Sequence, residues 1–305
     1  MRQEGNLRAV RLEQVADGVF AYLQPDGGWC VNNAGLVVAD GQAMLVDTAA
    51  TEARARRLRE AVASVTGAAP TTIVNTHSHG DHTFGNFVFP EAAVIGHERA
   101  RDEMLAARLH LTGLWPDVDW GDVQLVPPRI VFPDRLTLHL AERRVELLHL
   151  GPAHTSGDVV VWLPDSRVLF TGDIVMAGVT PFVPMGSVSG CLAALDALRG
   201  LEARVIVPGH GPVSGPEVLD DTAEYLRLLR SLAAEGAAAG LHPLAIARSA
   251  DLGRFGDWLD SERLVPNLHR ARAEAQGAEP GSPMDMNALF ADMVAFHGKL
   301  PACHA

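Results

Sequence analysis

Cysteine is scarce: Cys30, Cys191 and Cys303 are far apart in the sequence and odd in number. That excludes a disulfide framework, leaves no Cys-x-x-Cys metal site and fits a reducing compartment. Long apolar runs are missing too. No stretch of 18 apolar residues occurs, and the opening MRQEGNLRAV lacks the apolar segment of a signal peptide. Positive charge is also short. With 25 Lys and Arg against 37 Asp and Glu, the formal charge is −12, which opposes a phosphate-rich partner and argues against nucleic acid. These absences predict a cytoplasmic protein that binds neither nucleic acid nor membrane. What is abundant is apolar bulk. In 305 residues, 48% of them hydrophobic, the chain can bury one large core or two modest ones.

Short β-rich runs separated by turns fill the first half. VFAYLQ (19–24), CVNNAGLVVAD (30–40), AMLVDT (43–48), TTIVNTH (71–77) and AVIGH (93–97) read as strands. Residues 51–65 read as a helix, with Leu58, Ala61, Val62 and Val65 on one face. The middle of the chain repeats this pattern, with VELLHLG (145–151), DVVVWL (158–163), RVLFTG (167–172) and RVIVPG (204–209) as strands. LAALDAL (192–198) is a helix between Ser189 and Gly200 as cap residues. Two α/β halves packed sheet against sheet follow from this order. Beyond about residue 216 the spacing is helical. The last helix, 283–298, has Ser282 as its cap, Pro283 in its first turn and Gly298 at its end. Its stripe of Met286, Leu289, Phe290, Met293 and Val294 predicts packing onto the body, with a substrate mouth or a dimer contact as the alternative.

Chemistry concentrates at strand ends. In NTHSHGDHTFGN (75–86), His77, His79, Asp81 and His82 follow an apolar strand. GPAHTSGD (151–158) adds His154, LFTGD (169–173) adds Asp173, and VPGHGP (207–212) adds His210. Loops at strand ends can bring such side chains to one point, and glycines beside them allow close backbone approach. Imidazole nitrogens mixed with carboxylates suit zinc or another divalent first-row metal. His97 reads as a helix start or core residue and His149 as packed. His110, His139, His242, His269, His297 and His304 show no partner pattern.

HxHxDH, a lone later histidine, TGD, PGH and the VDT at 46–48 together resemble the metallo-β-lactamase fold superfamily over about residues 17–215. The resemblance implies an α/β (α+β) fold, a four-layer αβ/βα sandwich with two divalent metal ions at its rim. It implies a catalytic domain over 1–215 and a helical C-terminal extension over 216–305 packed on it. Carried over by motif, His77, His79 and His154 bind one metal ion, most simply Zn2+, and Asp81, His82 and His210 bind the other. Asp173 bridges the two, Asp47 supports the histidine loop, and Asp81 and His82 are the catalytic pair. Two metals would lower the pKa of a water and polarise a carbonyl, serving acyl hydrolysis or enolate formation.

GGWCVNNAG (27–35), LTGLWPDVDWG (111–121), VTPFVPMGSVSG (179–190) and DMVAFHGKLPACHA (292–305) are similar to the metallo-β-lactamase-fold cyclases of bacterial aromatic polyketide pathways. That similarity implies a cyclase that closes a later ring and acts as a thioesterase on a polyketide presented by an acyl carrier protein. A general hydrolase of small esters, lactones or thioesters is the alternative. Trp29, Trp115, Trp120, Phe182 and Met185 fall in loops, where they either wall a pocket for a flat substrate or pack the loops down. The arginines of RARRLRE, with Arg227 and Arg230, are either docking points for an acidic carrier or a solvated face. Self-association stays open.

Overall fold

Strand side chains alternate between two faces, and here both faces are apolar, so each sheet must be covered twice. The computed structural model describes residues 10–305; the signal-peptide reading rests mainly on residues outside that range. The first sheet runs in the order β1 (Arg11–Ala16), β2 (Val19–Leu23), β3 (Ala34–Ala39), β4 (Gln42–Val46), β5 (Thr72–Val74), β6 (Ala93–His97) and β7 (Ile130–Phe132). Its first four strands pair antiparallel, and β5 to β7 add in parallel. The second sheet holds β8 (Arg135–Leu140), β9 (Arg143–His149), β10 (Val159–Leu163), β11 (Val168–Met176) and β12 (Val205–His210), with β12 parallel to β11.

Val19, Ala21, Val37, Met44 and Val46 face Leu147, Val161, Val168 and Phe170 across the gap between the sheets. Their neighbours in sequence, Tyr22, Leu36 and Leu45, point outward to Ala55, Leu58 and Val62 of α1 (Glu52–Val65). After a single helical turn, α2 (Gly80–Thr83), the first half adds α3 (Glu98–Ala107) and α4 (His110–Leu114). The outer face of the second sheet, with Val160, Trp162 and Leu169, packs on α5 (Val188–Arg199), α6 (Glu217–Ala238), α7 (Pro243–Ser249) and α8 (Leu264–Ala275). Finally α9 (Met286–His297) lies near the mouth between the halves, where Met293 joins Trp29, Phe84 and Trp115. The result is the expected four-layer sandwich with a helical C-terminal region. No helix of the described residues is long and apolar enough to cross a membrane.

Some boundaries differ from the sequence reading. Ser187, not Ser189, caps α5, its hydroxyl accepting from Gly190 N at 2.9 Å. Asp285, not Ser282, caps α9 by accepting from Ala288 N at 3.1 Å. Ser282 is drawn off instead by the buried guanidinium of Arg270, which needs acceptors and takes both its hydroxyl and its carbonyl. Gly298 does end α9, in the left-handed conformation at φ 85°. The strand expected from residue 30 starts only at Ala34. Asn33 turns the segment before it toward β12, donating to the carbonyls of Pro208 and Gly211. The short edge strands β1, β7 and β8 were not legible, because their burial is weak or patchy.

Candidate metal centre

Five segments deliver the polar side chains to one rim: the turns after β4, β5 and β9, the middle of β11 and the end of β12. The His77–His82 loop is fixed from below. Thr48 donates its backbone N–H and its hydroxyl to the His82 carbonyl at 2.8 and 2.9 Å. Asn86 donates to Asn75 Oδ1 at 2.8 Å across the base of the loop. Asp47, in a left-handed conformation at φ 59°, accepts from Thr76 N at 2.7 Å, Thr76 Oγ1 at 2.7 Å and His82 Nδ1 at 2.8 Å.

Those bonds set the tautomers. A carboxylate only accepts, so the neutral His82 ring donates from Nδ1 and keeps its lone pair on Nε2. The Thr76 hydroxyl, committed as donor to Asp47, accepts from His77 Nδ1 at 3.0 Å, which frees His77 Nε2 in the same way. His210 Nδ1 donates to the Gly27 carbonyl at 2.9 Å and exposes its own Nε2.

The freed atoms face one another in two groups, His77, His79, His154 and Asp173, and Asp81, His82 and His210. His154 Nε2 lies 2.9 Å from His79 Nδ1 and 3.4 Å from Asp173 Oδ2, with His77 Nε2 3.8 Å from that oxygen. In the second group His210 Nε2 is 3.3 Å and His82 Nε2 3.9 Å from Asp81 Oδ2. Asp173 spans both, with Oδ1 3.1 Å from His82 Nε2 and Oδ2 3.4 Å from His210 Nε2. Bonds of about 2.0–2.1 Å to a tetrahedral ion put ligand atoms about 3.3 Å apart, and these separations scatter around that value. His77 Nε2, His82 Nε2 and Asp173 Oδ1 are buried and make no hydrogen bond. Buried polar atoms without partners are costly, and a shared cation satisfies them together. The donor set therefore fits two divalent metal ions.

Charge agrees. Asp47, Asp81 and Asp173 are buried, and among the described residues no Lys or Arg is in ion-pair contact with them. Burial opposes a charged His210 ring, but Asp173 and Asp81 outweigh it and push its pKa up to about 9. Burial is likewise overcome at His82, held well above the usual range by Asp173, Asp47 and Asp81. His154, by contrast, is pushed down to about 3, mainly by burial. Without an ion, protons on His82 and His210 supply the positive charge that the carboxylates call for, whereas burial outweighs Asp173 at His154, 3.4 Å away. Gly209 makes room, since a Cβ there would sit 1.8 Å from Asp173 Oδ1.

A cavity of about 500 Å³ opens onto this cluster, with His79, Asp81, His154, Asp173 and His210 on its wall. The four pocket residues expected from the sequence, Trp29, Trp115, Phe182 and Met185, all border it. Trp29 packs 5.7 Å from Trp115, 5.2 Å from Phe182 and 6.4 Å from Phe290, ring centre to ring centre. Trp120 stands behind them, donating to the Trp115 carbonyl at 2.9 Å. The apolar stripe of α9 is split: Met286 and Phe290 border the cavity, whereas Leu289 and Met293 are packed down. His110 borders the cavity as well.

Sequence reasoning missed several supports because their partners are remote. Glu262 accepts from Trp29 Nε1 at 2.7 Å, and Arg263 stacks its guanidinium 4.1 Å from the Trp29 ring centre. Glu103 of α3 receives the hydroxyls of Ser78 and Ser156, tying the His79 loop to the His154 loop. Asp158 accepts from Ala153 N and from the N–H and hydroxyl of Thr155, closing the turn around His154. Its position inside TSGD was the one available signal. His97 caps α3, accepting from Arg99 N, and stacks on His149 at 3.8 Å.

Several known proteins are similar to this chain. The metallo-beta-lactamase type 2 of Bacteroides fragilis is 27% identical over 226 residues, 71% of this chain and 85% of that protein. An acyl-coenzyme A thioesterase of Bos taurus is 29% identical over 169 residues, 49% of this chain and 59% of the relative, so the chain spans little more than half its length. The solved metallo-beta-lactamase from Pontibacter korlensis shares the fold at a TM-score of 0.61 and 20% identity, over 72% of this chain and 99% of that one. Residues 27–210, which carry all seven converging side chains, match the family described as the Metallo-beta-lactamase superfamily, and the chain belongs to that superfamily.

Proposed function

We propose that the chain is a zinc-dependent cyclase of aromatic polyketide biosynthesis that closes a later ring on a bicyclic polyketide and hydrolyses its carrier thioester. The observation that carries this reading is the cavity: about 500 Å³, walled by Trp29, Trp115, Phe182 and Phe290, and floored by the histidines and carboxylates. Flat aromatic walls suit a flat ring system and keep water from it. In this reading His77, His79 and His154 hold one ion, Asp81, His82 and His210 the other, and Asp173 both. When bound, the ions supply Lewis acidity toward a carbonyl oxygen and a water of lowered pKa.

Asp81 borders the cavity, and although burial opposes its charge, His82 and His210 keep its carboxyl well below the usual range. It is therefore ionised beside the cavity, a weak base that could take a proton only from a group that a bound metal ion had made acidic. From the attacking water, that transfer would let oxygen bond to the acyl carbon; the C–S bond then breaks, and the leaving sulfur takes the proton back from Asp81 and departs as the thiol. From the carbon beside a substrate ketone, it would let that carbon bond to a second carbonyl carbon and close a ring, the π pair of that carbonyl moving to its oxygen, which takes the proton back as a hydroxyl. His82 orients Asp81 and Asp173 from a ring locked by Asp47.

The thioesterase among the relatives supports the acyl half of this reading, and the stretches around Trp29, Trp115 and Phe182 support the polyketide half. The general hydrolase of small esters, lactones or thioesters is the second reading, favoured by the range of relatives; a small lactone would leave most of the cavity to water. For an acidic carrier protein the candidate contacts narrow. Arg54 is buried, while Arg56 and Arg59 pair with Glu52 and Glu91; Arg57, Arg227 and Arg230 remain exposed. The test is to give the zinc-loaded protein a bicyclic polyketide thioester, small acyl thioesters and lactones, and to follow products by mass. A new ring or the free polyketide acid is expected. Fast lactone turnover with the polyketide untouched overturns the proposal.

A further inference from the structure

A second convergence of metal-type donors lies away from the rim, among the C-terminal helices. His242 immediately precedes α7, His269 lies on α8 and Asp292 on α9. One oxygen, Asp292 Oδ2, is 2.8 Å from His269 Nε2 and 3.8 Å from His242 Nε2. The two rings meet edge to face at 5.3 Å between centres and an angle of 76°. One donor atom from each residue lies within 4.8 Å of the other two, and the carboxylate separations bracket the roughly 3.3 Å edge of a tetrahedral zinc polyhedron. Two imidazoles and a carboxylate form a three-ligand set that leaves a fourth position for water.

We propose that His242, His269 and Asp292 form a third, mononuclear site for a divalent transition metal, which staples the helix carrying Met286 and Phe290 to the two helices behind it. His269 Nε2 donates its proton to Asp292 Oδ2 at 2.8 Å, so an ion binding there takes the place of that proton between the two side chains. His242 is open to solvent, giving the ion a way in; its side chain is 60% exposed. Its present contact, Nδ1 accepting from Leu244 N at 3.4 Å, is long and easily released when Nε2 binds metal and the proton moves to Nδ1. Arg272 lies nearby but is engaged by the Leu241 carbonyl at 2.7 Å. Metals gain most where they join separate segments, and here they join three helices, one of which is a wall of the substrate cavity.

The experiment dialyses tag-free, metal-free protein against buffered micromolar zinc and counts bound metal. Three equivalents per chain are expected, two for the rim and one for this cluster, with one equivalent lost in His242→Ala and in Asp292→Asn. The exposed His242 makes its variant safe for folding. Hydrogen exchange across Met286–His297 is expected to slow on zinc addition in the wild type only. Metal content identical in the wild type and both variants overturns the site. Exchange that ignores zinc overturns the staple.

Discussion

Replacing Asp47 by Asn changes one atom and should disable both halves of the rim. Asp47 accepts three bonds, from Thr76 N, Thr76 Oγ1 and His82 Nδ1, at 2.7, 2.7 and 2.8 Å. Asparagine keeps one acceptor, enough for Thr76 N, and turns the other oxygen into an amide donor. That amide faces His82 Nδ1, which must become an acceptor, so the neutral ring carries its proton on Nε2, the atom aimed at Asp173. The amide also donates to the Thr76 hydroxyl. The hydroxyl then donates to His77 Nδ1, which moves the His77 proton onto its Nε2 as well. Removing the group that orients a metal-binding histidine costs about 10–100-fold in affinity, or roughly 1.4–2.7 kcal/mol per ion. Both rim equivalents should weaken by that factor in competition with a chelator, while the near-isosteric variant keeps its metal-free melting temperature within a few degrees. Nitrogen chemical shifts of the two rings read the tautomers directly. Zinc held as tightly as in the wild type, or Nδ1 still protonated in both rings, would refute the relay.

Gly209→Ala places a Cβ 1.8 Å from Asp173 Oδ1 and 2.9 Å from Asp173 N, so it should displace the shared carboxylate and strip metal from both groups; retention of both ions in the purified variant would contradict this. Zinc at about one hundred times its Kd should stabilise the metal-free protein by about 2.7 kcal/mol, visible as a rise in melting temperature that a chelator reverses. His97 and His149, stacked at 3.8 Å, both have pKa values lowered by burial. The unfolded chain therefore takes up their protons first, and stability falls as the pH drops below about 6.5. Asp158, raised to about 7 by burial, works in the opposite direction. The difference between wild type and His149→Gln isolates the stacked pair. The variant should lose less stability between pH 7 and 5 by denaturant titration, and parallel profiles would count against the stack.

The rim was legible because its chemistry is local. HxHxDH occupies a single loop, and TGD and PGH each sit beside a glycine at a strand, so residue type and spacing carried the information. The sheet-on-sheet fold was legible from short continuous apolar runs between turns, such as those of β3 and β10, buried on both faces. What failed were bonds across distance. Glu262 meets Trp29 from 233 residues away, and neither residue type nor periodicity signals it. Ser282 looked like a cap, but the buried guanidinium of Arg270 competes for the same oxygens. Cys30 and Cys303, read as far apart, share one apolar cluster because the tail passes Trp29, with His304 N donating to the Trp29 carbonyl at 3.0 Å.

The same division separates chemistry from selection. Every rim side chain lies within residues 27–210, the part matched by the superfamily. The cavity wall draws also on the C-terminal helices and tail. Arg263, Met286 and Phe290 border it, Glu262 holds Trp29, and the Pro301 carbonyl accepts from Trp115 Nε1 at 2.8 Å. Substrate choice can therefore vary without disturbing the metal donors, and Phe290→Ala measures the separation. Phe290 is half-buried, 6.4 Å from Trp29 and 6.3 Å from Phe182 between ring centres. Its removal deletes two aromatic contacts worth about 0.5–1.5 kcal/mol each, some of which a flat ligand would share. KM for a polycyclic thioester should rise about tenfold, since 1.4 kcal/mol is one factor of ten. Metal content and the rate on a small acyl thioester should stay as they are, because that ligand does not reach the wall. Equal losses on both substrates would mean that Phe290 supports the rim itself, and the wall would then not be where this chain chooses its substrate.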